Sequence, residues 1–249
     1  MSRFTFAAVL LCAALAASGC ADAASDDGTS DLSRTLLTQP SNDGQSTLIA
    51  GPGDDGGPRV SVSELGFNRG SGDAPVKVVE MSDYGCGYCR QFHMDSFSAI
   101  REEFIETGMV EWKFVPYITG MFDNSLVATE AAECAYVQDV DAFEQLNRRI
   151  WDEQRAWKGS DDPAPLVRGW AAQLGIDMAA FDGCLESDRQ LARISGSTAL
   201  AQQLGVRGTP TFVVLGYPPL QGALPLETFR EILNTVYSET QGAAGGERP

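Results

Sequence analysis

The sequence predicts an α/β fold, in which helices flank a central sheet and a long helical stretch is inserted into it. Residues 76–81 form a short apolar run with β-branched side chains, which is typical of a buried strand. Residues 110–115 alternate in polarity and predict a second strand, which Pro116 ends. Residues 124–205 carry helical periodicity, and residues 211–215 predict another strand. This order places strands before and after the helical insertion.

Apolar spacing also predicts the individual helices. Over residues 89–104 the large apolar side chains recur at helical spacing, and Gly108 follows as a helix-ending residue. Residues 216–222 indicate a turn leading into another short strand, and residues 226–237 indicate an amphipathic closing helix. A last helix of the insertion runs to Leu204, after four others at Asn124–Val137, Asp141–Gln154, Pro165–Leu174 and Ala179–Leu185.

Residues 1–20 are typical of a bacterial export signal. The apolar run over residues 4–17 is too short to span a bilayer as a stable helix. The segment Leu-Ala-Ala-Ser-Gly-Cys that ends at Cys20 resembles a lipobox, in which cleavage leaves this cysteine lipidated. Ordinary secretion, with cleavage after Ala23, is the alternative. Either route predicts an extracytoplasmic, oxidising location, periplasmic and membrane-anchored in the first case and secreted in the second.

Composition divides the remaining chain. Residues 21–59 are rich in Asp, Ser, Gly, Thr and Pro, so they predict a disordered acidic linker. Residues 60–240 predict the folded domain, with the helical insertion at about 120–205, and residues 241–249 a flexible tail. The net charge of −16 argues against a nucleic-acid partner, because phosphate binding needs clustered Lys and Arg.

Four of the six cysteines lie in the predicted domain. An even number of cysteines in an exported chain indicates pairs. Cys86 and Cys89 are too close in sequence for a typical structural bridge, which leaves Cys134 and Cys184 for each other.

A strand followed by Cys-x-x-Cys at a helix start is a specific redox signal. A helix N-terminus presents unpaired N–H groups and a partial positive charge, which stabilise a thiolate. A thiolate there can attack a disulfide sulfur, and the two residues between Cys86 and Cys89 place both sulfurs within reach of each other, so the second thiol can resolve the mixed disulfide. The alternative is half of a zinc site, but zinc usually needs four ligands and the chain has one histidine.

Three features together carry a family resemblance. Glu80 lies on the predicted buried strand, Cys86-Gly-Tyr-Cys89 opens the helix, and Gly208-Thr-Pro210 precedes a late strand. These segments resemble the thioredoxin-fold oxidoreductases, and closely the DsbA-like branch, in which a helical insertion also separates the two halves. The resemblance covers roughly residues 60–240 and implies an α/β thioredoxin-like fold with an inserted helical domain.

The resemblance implies an enzyme that exchanges thiols and disulfides in exported proteins, with a membrane redox partner and without a cofactor or metal. Cys86 would be the exposed nucleophile and Cys89 the buried resolving thiol. Glu80 would be a buried acid that exchanges a proton with Cys89, although a strand-end carboxylate facing water is the alternative. Pro210 would be a cis-proline facing the disulfide, with Thr209 pairing to an extended substrate.

The dipeptide between the cysteines departs from the DsbA oxidase pattern. Gly87 and Tyr88 replace Pro-His and Thr209 replaces Val, and both choices resemble DsbC-type isomerases. These three residues are expected to contact the substrate. Because Tyr88 offers no imidazolium charge to Cys86, the pair should be less strongly oxidising. Oxidation, isomerisation and reduction all stay open.

Two further features have open alternatives. His93 could pack on the helix, tune the thiols, or complete a copper site with Cys86 and Cys89. Family members often carry cysteines in the insertion, which favours a structural Cys134–Cys184 bridge over a second redox relay or two buried thiols. The rival functions are a copper-handling thiol protein and a redox-inert binding module.

Overall fold

A computed structural model describes residues 48–50, 59–61 and 65–245 of the chain. The predicted signal peptide, with Cys20, and most of the predicted linker lie outside these residues. Within the described part, no helix is both long and apolar enough to cross a bilayer.

The predicted linker over residues 21–59 needs a correction at its end. Strands β1 (Leu48–Ala50) and β2 (Arg59–Ser61) pair antiparallel and lie against the helix Leu191–Gln203. Composition alone missed them because a few β-branched residues suffice for a short strand inside an otherwise polar stretch.

The main sheet has five strands in the order β3-β5-β4-β6-β7. The central pair β4 and β5 is parallel, and the other pairs are antiparallel. The strands are β3 (Phe67–Arg69), β4 (Val76–Ser82), β5 (Val110–Pro116), β6 (Thr211–Val214) and β7 (Leu220–Gln221). The three-residue β3 was not predicted, because it is too short for an alternating pattern. The α/β class and the insertion between β5 and β6 are confirmed.

Strand β5 is buried along its whole length, although its sequence alternates in polarity. Val110 and Trp112 pack in the core beneath the closing helix, and Val115 packs with Leu200 on the opposite face. Lys113, also buried, donates a 3.1 Å hydrogen bond to Asn68 of β3. Alternation therefore located the strand correctly but did not indicate that helices cover both of its faces.

The helix after β4 opens at the Cys86–Cys89 segment, as predicted, but it is irregular. Its first residue is Gly87, and two π-helical segments of five residues each interrupt the α-helix. The helix ends before Gly108, whose left-handed backbone (φ 77°) is typical of a residue after a helix C-terminus. Its segments are α1 (Gly87–Phe92), the π-helical His93–Phe97, α2 (Ser98–Ile100) and the π-helical Arg101–Ile105.

The insertion between β5 and β6 consists of six helices, one more than predicted. The extra helix, α5, directly follows the helix predicted to end at Gln154. The helices are α3 (Ser125–Tyr136), α4 (Val140–Asp152), α5 (Gln154–Lys158), α6 (Ala164–Ala171), α7 (Met178–Glu186) and α8 (Leu191–Gln203). Helices α3 to α7 share one hydrophobic core with the loop before α1 and with Phe67 and Phe114 of the sheet.

The C-terminal half of the sheet domain differs from the prediction in two details. Strand β7 lies within the predicted turn over residues 216–222 and not after it. The closing helix α9 (Leu226–Gly245) continues through the start of the predicted flexible tail at Gln241. Alanine and glutamine are good helix formers, so a Gly-rich composition did not end the helix there.

Candidate active site

The predicted redox cysteines lie where β4 turns into α1. Cys86 is the residue that precedes the first turn of α1, and Cys89 lies within that turn. Cys89 is fully buried, as predicted, but Cys86 is only 4% exposed. The expectation of an exposed nucleophile therefore needs a correction, because Cys86 is recessed at the wall of a cavity.

Asp83, which is buried, organises the loop before Cys86. One carboxylate oxygen accepts hydrogen bonds from the Gly85 backbone N–H at 2.9 Å and from the Ser125 hydroxyl at 2.6 Å. The other accepts from the backbone and hydroxyl of Thr119, both at 2.9 Å. A side chain at Gly85 would lie 2.4 Å from Phe122, so only glycine fits. The insertion thus holds the loop against the sheet domain.

A second set of contacts holds the backbone of the cysteine itself. The side-chain amide of Gln154 donates to the carbonyl oxygens of Tyr84 at 2.6 Å and Cys86 at 2.8 Å. Lys158 donates to the Gly85 carbonyl oxygen at 2.6 Å. These donors come from α5, so the one helix that the sequence did not predict positions the nucleophile.

The Thr209–Pro210 loop lies directly over the redox pair. The peptide bond between these residues is cis, as predicted, and the Cys86 thiol lies 3.3 Å from the Thr209 carbonyl oxygen. Pro210 is buried. Cys86 opens into a cavity of about 710 Å³ whose lining includes Gly87, Tyr88 and Thr209. Tyr88 is 67% exposed at its rim, so the three predicted substrate contacts share one surface with the thiol.

The two thiols have opposite acidities. The pKa of Cys86 is lowered to about 6, and the largest cause is the hydrogen bond from the Cys89 thiol. Thr209 and the backbone N–H groups at the helix start lower it further, whereas burial acts in the opposite direction. Burial, together with the neighbouring Cys86, raises the pKa of Cys89 well above its usual range. At neutral pH, Cys86 is therefore the thiolate and Cys89 the thiol.

We expect the alkylation rate of the reduced protein to rise with pH around a midpoint of about 6. The sign follows from the lowered pKa, since the reactive thiolate persists further into acid than an ordinary thiolate does. About 90% of Cys86 would be ionised at pH 7, against a few per cent for a free cysteine. Iodoacetamide labelling followed by peptide mass spectrometry measures this directly. A midpoint above 8 would contradict the proposed stabilisation of the thiolate.

Glu80 is completely buried, so the alternative of a carboxylate facing water is wrong. Its Oε1 atom accepts a 2.6 Å hydrogen bond from Ser82 and lies 2.7 Å from Nε2 of His93, while Oε2 accepts 2.9 Å from Trp112. Burial alone would raise the pKa of Glu80, but His93, Ser82 and Trp112 together lower it below its usual value. Ser82 also lowers the pKa of the Cys89 thiol, against the effect of burial.

His93 contacts Glu80, and its ring stacks on Trp151 at 4.4 Å between centroids. His93 therefore does more than pack on the helix, since it forms a buried polar pair with Glu80. Across the described ranges, no three His, Cys, Asp or Glu side chains form a group that could hold a metal ion, and the suggested set of Cys86, Cys89 and His93 is not such a group.

Cys134 of α3 and Cys184 of α7 form a disulfide, as predicted. Both residues are buried in the core of the insertion. The bond joins two helices that are separated by 50 positions in sequence. It leaves Cys86 and Cys89 as the free cysteines of the described residues.

Sequence reasoning missed several residues that build the site. Ser82 and Asp83 lie inside the segment that carried the family resemblance, but nothing local distinguished their roles. Gln154 and Thr119 reach the loop from 68 and 36 positions away, so their contribution depends on the fold. The one sequence signal that could have indicated Ser82 and Asp83 is their place between a predicted buried strand and Cys-x-x-Cys, where a short polar side chain is expected to be buried.

The fold and the acidity of its paired thiols define a thiol–disulfide oxidoreductase. A family model described as thioredoxin matches residues 63–235, and the chain belongs to this thioredoxin family. The chain is 31% identical over 151 residues to the probable disulfide bond formation protein D of Bacillus cereus, covering 59% of this chain and 68% of that protein. Thiol–disulfide exchange is therefore its activity.

Two other similarities differ in how much of the matched protein they cover. Over 175 residues, 70% of this chain, it is 35% identical to the Na(+)/H(+) antiporter NhaA 1 of Salinispora arenicola, but this covers 25% of that protein. The crystal structure of alpha-DsbA1 from Wolbachia pipientis superposes with a TM-score of 0.64 at 20% identity, covering 73% of this chain and 97% of that one. At that identity the likeness concerns the fold, and it agrees with the DsbA-like resemblance.

Proposed function

We propose that the chain exchanges disulfides with exported proteins outside the cytoplasm, with Cys86 as the attacking thiolate and Cys89 as the resolving thiol. The observation that carries this proposal is the contrast between the two sulfurs. Cys86, whose pKa is about 6, opens into a cavity, whereas Cys89 is wholly buried beneath it. Attack on a substrate disulfide requires access and a thiolate, and resolution requires only proximity to Cys86.

The substrate would bind along the surface formed by the cavity and the cis-proline loop. Thr209 offers backbone groups beside Cys86, and Tyr88, Met121 and Phe122 provide apolar contact area. An extended peptide can pair with such a backbone edge while its side chains enter the cavity. The cavity volume of about 710 Å³ leaves room for such side chains.

Glu80 is proposed to exchange a proton with Cys89. Ser82 donates a hydrogen bond to Glu80 and also lowers the pKa of Cys89, so its hydroxyl offers a route for the proton between the thiol and the carboxylate. A carboxylate that is ionised and buried is poised to accept this proton when Cys89 must become a thiolate. Glu80→Gln should slow the Cys89-dependent step and leave attack by Cys86 intact.

Membrane attachment through a lipid on Cys20, and a membrane redox partner that resets the cysteine pair, complete the proposal. The lipobox-like segment supports the anchor. Metabolic labelling with a radioactive or clickable fatty acid, compared between the wild type and Cys20→Ala, tests it. Unlabelled wild-type protein released into the medium would favour secretion.

The activity is tested by an insulin-reduction assay run beside a copper titration of the reduced protein. Turnover of insulin that depends on Cys86, with no stoichiometric copper binding, is the expected result. Tight copper binding without insulin turnover would instead favour the copper-handling alternative.

We expect the Cys86–Cys89 pair to have a reduction potential between about −270 and −120 mV, the values of thioredoxin and of the strong oxidase DsbA. A thiolate with a pKa of about 6 is less stabilised than that of DsbA, near 3.5, and slightly more than that of thioredoxin, near 7. Equilibration with glutathione buffers, followed by thiol trapping, measures the potential. A value outside this interval would mean that Tyr88 does not control the oxidising power as argued.

A further inference from the structure

A second cavity, of about 250 Å³, reaches His93 from the protein surface. It shares no lining residue with the cavity that contains Cys86. Residues at its rim, among them Met94, Ser98 and Asp152, are exposed, so solvent can enter. Its volume is large enough for several water molecules.

His93 separates this cavity from the buried Glu80. Its side chain is 3% exposed, and its Nε2 atom lies 2.7 Å from Oε1 of the carboxylate. The stacked ring of Trp151 fixes the plane of the imidazole. The side chain of Trp151 also lines the cavity, beside His93.

The exchange reaction requires a proton to cross this region. When Cys89 resolves a mixed disulfide, its S–H bond breaks, a bond forms between the two sulfurs, and the bond from Cys86 to the substrate sulfur breaks. The substrate leaves as a thiolate that takes a proton from water, and the proton of Cys89 must go elsewhere. In the opposite direction Cys89 leaves as a thiolate and must receive a proton. Glu80 holds this proton but has no contact with solvent of its own.

We propose that His93 carries the proton between Glu80 and the water of the second cavity. This inference rests on the proposed exchange between Cys89 and Glu80. In one direction Glu80 takes the proton of Cys89, while the imidazolium of His93, which donates to the carboxylate through Nε2, releases its Nδ1 proton to the cavity water. In the other direction Glu80 returns a proton to Cys89, and a proton from the cavity enters at Nδ1. Nε2–H faces Glu80 throughout, so one proton crosses in each half and no net change accumulates.

The charged groups around His93 suit a polar, hydrated outlet. Glu80 faces it from β4, Arg101 lines the cavity from its own helix, and Glu144, Arg148 and Asp152 line it from α4. Glu144 forms an ion pair with Arg69. The cavity is therefore lined by charged side chains of both signs. The proton thus leaves on a route separate from the surface where the substrate would bind.

The test follows the two steps of the reaction of reduced protein with an equimolar amount of an aromatic disulfide whose thiol absorbs visible light. The first release of chromophore reports attack by Cys86, and the second reports resolution by Cys89. His93→Gln keeps an amide that can hold Glu80 but cannot carry a proton. We expect the second phase to slow at least tenfold at pH 7 and to lose its pH dependence, while the first phase changes less than twofold.

His93→Ala supplies a readout that a structural role would not produce. Its second phase should be slow and should recover when imidazole is added, because the 250 Å³ cavity gives the free base access to the vacated place. Ser98→Ala, at the rim of the same cavity, is the matched control and should behave as the wild type. Equal slowing of both phases, a wild-type second phase in His93→Gln, or no recovery with imidazole would overturn the inference.

Glu80→Gln separates this inference from the function on which it rests. If Glu80→Gln resolves the mixed disulfide at the wild-type rate, the buried acid itself is not used and both ideas fail. If Glu80→Gln is slow while His93→Gln is fast, the acid is used and only the outlet through His93 is wrong.

Discussion

Replacing Cys86 with serine should abolish disulfide exchange, with a loss of at least about a thousandfold in rate. Serine has nearly the same size and would fit the cavity wall, but its hydroxyl is not ionised at neutral pH. No other free thiol of the described residues is accessible, since Cys89 is completely buried. Insulin turnover and the first chromophore phase measure the effect.

Replacing Cys89 with serine should have a different result. Cys86 still attacks the substrate, but nothing resolves the product, so mixed disulfides with substrate should accumulate on Cys86. Non-reducing electrophoresis and mass spectrometry after trapping in cell extracts of the producing organism would detect them. The double variant Cys86→Ser with Cys89→Ser is the control and should trap nothing. Substrates found on Cys89 in Cys86→Ser would reverse the two roles.

Removing the Cys134–Cys184 bridge should destabilise the protein by about 4 kcal/mol, because a cross-link over 50 positions restricts the unfolded chain. For a domain of this size the melting temperature should fall by about 10 °C or somewhat more. Replacing both cysteines with alanine avoids a lone buried thiol. Calorimetry compares this double alanine variant with the wild type, both with Cys86–Cys89 oxidised, and measures the difference in stability.

The same double replacement should retain most of the exchange activity per folded molecule, since neither sulfur contacts the redox pair in the described structure. Mild reductant should likewise open Cys86–Cys89 first and leave the buried bridge intact. Loss of activity at a temperature where the variant is fully folded would mean that the bridge also shapes the active-site loop.

The sequence by itself determined the central strand, the helix that follows it and the identity of the redox pair. A β-branched apolar run and helical apolar spacing depend on residues a few positions apart, so they are visible without the fold. The chemistry of Cys86 and Cys89 is also local, since a helix start stabilises a thiolate wherever it occurs. The bridge between Cys134 and Cys184 followed from counting cysteines in an exported chain.

Only the tertiary structure decided how accessible Cys86 is and which groups hydrogen-bond the buried Glu80. The Thr209 carbonyl oxygen that covers the thiol comes from 123 positions away, and the donors that hold its loop come from the insertion. The contact between His93 and Glu80 joins a helix to the middle of a strand, and no spacing rule predicts it. Such contacts depend on how distant segments pack, whereas periodicity reports only the face that each segment buries.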